Sequence, residues 1–203
     1  MAATGIPGGE KPYFCAAGST DGHPFPSHAF TKHSTFSQSI RGLPFFSASL
    51  RKKDLRSVPI TRFFRGFYET TLEPGEIVTA VRIPAPPLGA RSGYIKFTPR
   101  SAEDKPLVGV AALIALDAAG RCAEARIGLG GAAPTPIRAH RAEMALRGQA
   151  LSDAAIRAAA ETAAREAEPL SDLMGSADYR REMIRVWVRR LLVALRDGTQ
   201  RAG

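Results

Sequence analysis

The chain is poor in the residues that staple a fold or bind a metal. Its 203 residues include two cysteines, Cys15 and Cys122, too few for a disulfide framework and at no metal-ligand spacing, so a reducing cytoplasm is the expected setting. Three of its four histidines, His23, His28 and His33, fall in the first 56 residues. His28 and His33 have no cysteine or glutamate at ligand spacing, so no metal site is expected. No apolar run approaches the ~18 residues of a membrane span. Acid is also scarce. Lys and Arg number 28 against 19 Asp and Glu, giving a formal charge of +9 and a pI near 10.1. Such a balance invites anionic partners, but most of the excess is Arg in an Ala- and Arg-rich sequence, which codon bias also produces. A dinucleotide fingerprint is missing too. Gly128-Leu129-Gly130-Gly131 follows a strand pattern, but Pro134 and Pro136 intervene before any helix and no acidic residue closes a βαβ unit. As a KH-type loop it fails as well, since that loop joins two helices. These glycines read as a strand end packed close to a neighbour.

What is present is organised around Tyr94 to Leu116, a strand, a polar loop and a second strand. Tyr94, Ile95 and Phe97 favour β structure, and Val108, Val110, Ala112, Ile114 and Leu116 alternate. The residues between them are small or apolar, which predicts that both faces are largely covered. Pro99 and Pro106 bound a loop holding Arg100, Glu103, Asp104 and Lys105. Neither proline fits inside a central strand, and charge on a stiff two-strand scaffold is a common setting for binding.

Residues 1 to 56 have no periodicity and are dominated by Gly, Pro and Ser with scattered Phe. They read as a poorly ordered leader. Order is expected from Val58: an aromatic turn at Phe63–Tyr68, a Glu73-Pro74-Gly75 turn, then a strand through Ile77, Thr79, Val81 and Ile83. A fourth strand runs from Cys122 to Leu129, and the short connections make the strands antiparallel. Three helices follow, at Ala139–Leu146, from a Ser152 cap to about Glu168, and from a Ser176 cap to about Arg196. In the last, Met183, Trp187, Leu191 and Ala194 form an apolar stripe widened by Ile184, Val188 and Leu195, with six arginines read as solvated or ion-paired around it.

From about Val58 to Leu195 the chain resembles the C-terminal domain of the FAD-binding medium subunit of molybdenum hydroxylases, the family of carbon monoxide dehydrogenase and xanthine dehydrogenase flavoproteins. The match rests on FFRGFYETTLEPGEIV (Phe63–Val78), YIKFTPRSAEDKPLVGVA (Tyr94–Ala111), ARIGLGGAAPTPIRA (Ala125–Ala139), AEMALRG (Ala142–Gly148) and SDLMGSADYRREMIRVWVRR (Ser171–Arg190), in that order. The resemblance implies an α+β fold, with an antiparallel sheet of three to four strands on a layer of about three helices. It implies FAD as cofactor, with iron–sulfur and molybdopterin subunits as partners, no membrane and no nucleic acid. Carried over by position, Lys96, Arg100 and Asp104 match the loop beside the flavin ring, and Tyr68 matches an aromatic of the preceding motif. A cation near the pyrimidine side stabilises negative charge on reduced flavin, and Asp104 would hold Arg100 by a paired contact. Lys105-Pro106 stands where many relatives have an aromatic followed by Ala.

One departure is larger. The family cradles the FAD pyrophosphate in glycine-rich AGGTD and TIGGN loops, and residues 1 to 56 contain neither. The expected organisation is therefore a non-homologous leader (1–56), the C-terminal-like domain (57–197) and a short tail (198–203). The expected function is a truncated or accessory component of a molybdenum-hydroxylase-type oxidoreductase that forms one wall of the flavin site and is not catalytic alone. The alternative is a basic α+β module that binds nucleic acid or a protein without redox activity. Brief proteolysis is expected to remove residues up to about 56 and spare Val58–Arg196; equal protection of both parts, read by mass spectrometry, would contradict that.

Overall fold

The computed structural model describes residues 45–50, 54–99 and 106–198. They fall in two compact units, one within Ala16–Pro87 and one beginning at Leu88. In the first, β1 (Phe45–Leu50), β2 (Asp54–Pro59) and β5 (Ile77–Arg82) form an antiparallel sheet of order β2-β1-β5. Residues 1–44, where most of the expected leader lies, are outside the described residues. The strand at Phe45–Leu50 lies upstream of the boundary expected at residue 57. A single helical turn, α1 (Ile60–Phe63), leads to a small hairpin of β3 (Phe64–Gly66) and β4 (Glu69–Thr70). Val58 and Phe63 are buried, and the rings of Phe63 and Phe64 meet edge-on at 5.1 Å. Arg56 donates to Glu76 and to the Thr71 carbonyl, each at 2.6 Å. The expected strand β5 is present but shows no buried face: all six of its residues are exposed, as is Ile83 just after it.

The second unit holds most of the core. Its sheet has the order β6-β7-β8-β9 and is antiparallel throughout, with β6 at Arg91–Phe97, β7 at Val108–Leu116, β8 at Cys122–Gly130 and β9 at Ile137–Arg138. Because side chains alternate along a strand, Val108, Val110, Ala112 and Ile114 of β7 share a face with Ala125, Ile127 and Leu129 of β8. All seven are buried. Three helices cover that face, α2 (His140–Leu146), α3 (Asp153–Glu166) and α4 (Ala177–Asp197). Against the sheet, α4 lies on β6 and β7 and α2 on β8, while α3 packs on both of these helices. The buried alanines of α3, Ala159, Ala160, Ala163 and Ala164, let its neighbours approach closely.

The helix ends follow the sequence. Ser152 accepts a hydrogen bond from the Ala155 amide and Ser176 from the Tyr179 amide, while Gly198 closes α4 in the left-handed region. The centre of the α4 stripe is rotated by about one position from the expected one. Ile184, Val188, Leu191, Leu192 and Leu195 are buried, whereas Met183 and Trp187 are only partly covered. Trp187 sits on the flank, tilted against Phe97 at 5.4 Å, with the Arg190 guanidinium 4.7 Å from its ring centroid. The opposite face of the sheet departs from expectation in the same way. Ala111 is exposed and Leu113 half-buried, although Gly109, beneath Tyr94, and Ala115 on the same face are buried, because the helices cover one face only.

Two outcomes are expected. Trp187→Ala should lower stability by about 2 kcal/mol in urea unfolding, less than the roughly 3–5 of a fully buried aromatic; no change would mean that the Phe97 contact does not hold. Acid is the second lever. Asp153, Asp172 and Asp197 fall below their ordinary 3.8 and Glu182 below 4.5, first because an arginine hydrogen-bonds each. A depressed carboxylate contributes stability above its unfolded pKa and loses it as pH falls through the folded value. The urea midpoint should therefore decline below about pH 4 and be restored on neutralisation. A midpoint constant from pH 5 to 2 would refute the pairing.

Candidate functional site

Lys96 owes its position to the alternation of β6. Ile95 and Phe97 pack on the core, which leaves Tyr94 and Lys96 on the open face. The register sets Lys96 opposite Gly109 and Tyr94 opposite Ala111. Across the sheet Gly109 faces Gly130, and Ala111 faces Gly128, so the open face beside Lys96 is a flat strip with almost no side chain. Tyr94 lies across part of it. A methyl on Gly109 would stand 2.8 Å from the Tyr94 hydroxyl, whereas one on Gly128 would meet only Ala111, at 3.8 Å. Burial pushes the Tyr94 phenol above its ordinary value and keeps it protonated at neutral pH. Among the described residues Lys96 forms no ion pair. In contrast, Arg180, Arg181, Arg185 and Arg196 of α4 are all paired with carboxylates.

The other expected residues divide. Arg100 and Asp104 lie outside the described residues. Tyr68 belongs to the other compact unit, at the tip of the β3–β4 hairpin, where it is 92% exposed with φ at 57°. That is an uncommon backbone conformation for an aromatic residue and presents the ring outward. Its neighbour Phe67 is also exposed.

Two polar constellations were not legible from the residue pattern. Glu143 of α2, only 4% exposed, accepts from the Ile127 amide at 2.8 Å and from two Arg138 nitrogens at 2.6 and 2.7 Å. Its carboxylate extends the hydrogen bonding of β8 beyond the short β9, and Arg138 balances the buried charge. Helical spacing showed Glu143 only as a polar residue of a short helix. Similarly, Arg180 reads as one of several outward arginines but is 6% exposed. It donates to both Asp172 carboxylate oxygens at 2.7 Å and to the Leu107 carbonyl at 2.5 Å. A hint was the Ser171–Tyr179 segment, whose Asp, Gly and Ser form a tight turn before α4. Cys122 is buried and its thiol is pushed up by desolvation, which makes it a packing residue rather than a nucleophile. Among the described residues no acidic, histidine or cysteine cluster has metal-binding form, and no helix is long and apolar enough to cross a membrane.

With that geometry in place, the comparisons with known proteins converge. The family described as CO dehydrogenase flavoprotein C-terminal domain matches residues 93–195, from the middle of β6 to the end of the buried α4 stripe. The carbon monoxide dehydrogenase medium chain of Afipia carboxidovorans is 38% identical over 135 residues, which cover 66% of this chain and 46% of that one. The xanthine dehydrogenase FAD-binding subunit of Escherichia coli O157:H7 is 31% identical over 141 residues, covering 69% and 48%. Among solved structures, quinoline 2-oxidoreductase from Pseudomonas putida 86 superposes with a TM-score of 0.69 at 32% identity, over 77% of this chain and 53% of that one. The chain thus spans about half the length of the curated relatives it matches. By sequence and by fold, it belongs to the CO dehydrogenase flavoprotein C-terminal domain family, within the FAD-binding subunits of molybdenum hydroxylases.

Proposed function

We propose that the chain supplies one wall of a flavin site in a molybdenum-hydroxylase-type oxidoreductase, where FAD takes up electrons that iron–sulfur clusters deliver from a molybdopterin subunit. Family membership supports the reading, and one observation carries it: Lys96, which forms no ion pair among the described residues, lies within the matched segment on the helix-free face of the sheet, where Tyr94 covers Gly109 and Gly128 and Gly130 lie beyond. The described residues fit such a group in part. A planar ring can approach a strip bearing Gly128, Gly130 and Ala111 without meeting large side chains, and the Lys96 ammonium can stabilise negative charge on its pyrimidine edge. The protonated Tyr94 hydroxyl offers a donor beside it. Arg100 and Asp104 are proposed to extend the same edge, and Tyr68 to provide an aromatic contact. None of these residues moves a substrate proton; their work is to bind, orient and set the potential of the bound group.

The reading as a basic binding module has less behind it. Four of the six arginines of α4 are spent in ion pairs within the fold, and Arg190 stacks on Trp187. Arginines of α4 that are already paired have less to offer a polyanion.

One wall leaves most of a dinucleotide in water, whereas ligand sites usually bury roughly 70–90% of their ligand. Association also costs at least ~4 kcal/mol in lost freedom. The chain alone is therefore expected to bind FAD no more tightly than about millimolar and to purify colourless. Titration followed by amide NMR should show flavin-dependent shifts at Ile95–Phe97 and Gly109, and Lys96→Ala should abolish them. Micromolar stoichiometric binding by calorimetry would overturn the one-wall reading, and an absence of shifts at Lys96 and Gly109 at saturating FAD would overturn the site.

A further inference from the structure

Leu107, the residue that brings the chain back into the sheet at the start of β7, is held from every side. It is fully buried. Its amide donates to the Phe97 carbonyl at 2.8 Å, tying together the two ends of the β6–β7 connection. Its carbonyl accepts from Arg180 Nη1. Gly131, just after β8, has φ of +67°, and a methyl there would stand 2.6 Å from the same carbonyl oxygen and 3.5 Å from Arg180 Nη1. A methyl on Gly175 would stand 3.1 Å from the Leu107 side chain. The other guanidinium nitrogen, Nη2, takes both oxygens of Asp172, whose Oδ1 also accepts from the Met174 and Gly175 amides at 2.9 and 3.2 Å. One arginine of α4 thereby joins the end of β6, the start of β7, the turn after β8 and the turn before its own helix.

Stability alone accounts poorly for this arrangement. A buried guanidinium carries a desolvation cost that a well-packed apolar side chain would avoid. Among the described residues, moreover, the buried Arg180 Nε has no acceptor, so the group is not even fully satisfied there. What a forked donor provides and an apolar residue does not is direction: two nitrogens in a rigid plane fix the Leu107 carbonyl relative to Asp172. Leu107 and Phe97 are bonded to each other, and Phe97 adjoins Lys96, so the register of Lys96 against Gly109 depends on where Leu107 stands.

We propose that Arg180 is a positioning residue for the Lys96 site, with Asp172 as its orienting partner. It acts by anchoring Leu107, where the β6–β7 connection re-enters the sheet, and so holds Lys96 in register beside the open face. The inference rests on the reading of Lys96 as the flavin-facing cation, and its consequences are separable from that reading.

The experiment uses the full chain with Arg180→Lys, which keeps the charge and loses the fork, and Asp172→Asn, which keeps the arginine. Amide exchange and FAD-induced NMR shifts are measured on each, with the urea midpoint as control. Arg180→Lys should accelerate exchange at Leu107 by about tenfold while Ile127 and the amides of α3 keep their protection. The shifts at Lys96 and Gly109 should weaken severalfold under conditions in which the urea curve shows the variant fully folded, the midpoint itself being lowered by loss of the fork to Asp172. Asp172→Asn should move both readouts the same way, and it decides the matter if Arg180→Lys does not fold. Unaltered exchange at Leu107 overturns the anchoring, and altered exchange with a wild-type flavin response overturns the positioning role. Wild-type chain without flavin shifts defeats the flavin reading and the positioning role with it, while the exchange measurement still decides whether Arg180 anchors Leu107.

Discussion

The structure depends on one constraint: the helices cover only one face of the β6–β9 sheet. Helices α2, α3 and α4 take the side bearing Val108, Val110, Ile114, Ile127 and Leu129. Burying apolar area there, at about 25 cal/mol per Å², is what holds the helical layer in place. Since the side-chain period of a strand is two, the choice of buried face also decides what the other face shows. Lys96 reaches the open face because Ile95 and Phe97 are taken by the core. A slip of one residue in β6 would turn Lys96 inward, toward the apolar face of α4.

Charge is handled by a second, more local rule. The chain is strongly basic, and on α4 four of the six arginines are turned against its own acids. Arg185 bridges Glu161 and Glu182, and Arg196 joins Asp153 and Asp197 across α3 and α4. Exposed pairs of this kind are individually weak, but together they tie the two longest helices and quiet the surface. On the open face of the sheet, Lys96 forms no ion pair among the described residues and lies opposite Gly109. The same logic separates the two buried charged residues, Glu143 and Arg180. Each is neutralised by a forked contact and each holds a strand end in place.

The two compact units differ in how complete they are. The second has a closed core. The first presents β5 with Ile77, Val81 and Ile83 open to solvent and an aromatic hairpin tip at Phe67 and Tyr68.

Much of this was legible in the residues. Alternation placed β7 and β8, serine caps and the closing glycine placed α3 and α4 within one or two residues, and linked motifs pointed to the family, because local periodicity and capping chemistry are short-range properties. Lys96 could likewise be singled out as a polar residue in an apolar strand. Other features were settled only by contacts between distant segments. The α4 stripe centres on Ile184, Val188, Leu191 and Leu195 rather than on Trp187, since it is the crossing of α4 over β6 and β7 that selects the buried side. The second face of β7 is open in part although its residues are small and apolar, because composition shows what a face tolerates and not whether anything covers it. Arg180 looked like its neighbours along the helix; a partner eight residues away and a carbonyl 73 residues away make it the buried one. Sequence by itself determined the elements and the family, through interactions that act within a few residues, while the choice of buried faces and of the arginine that anchors Leu107 was decided by packing between segments that are neighbours only in space.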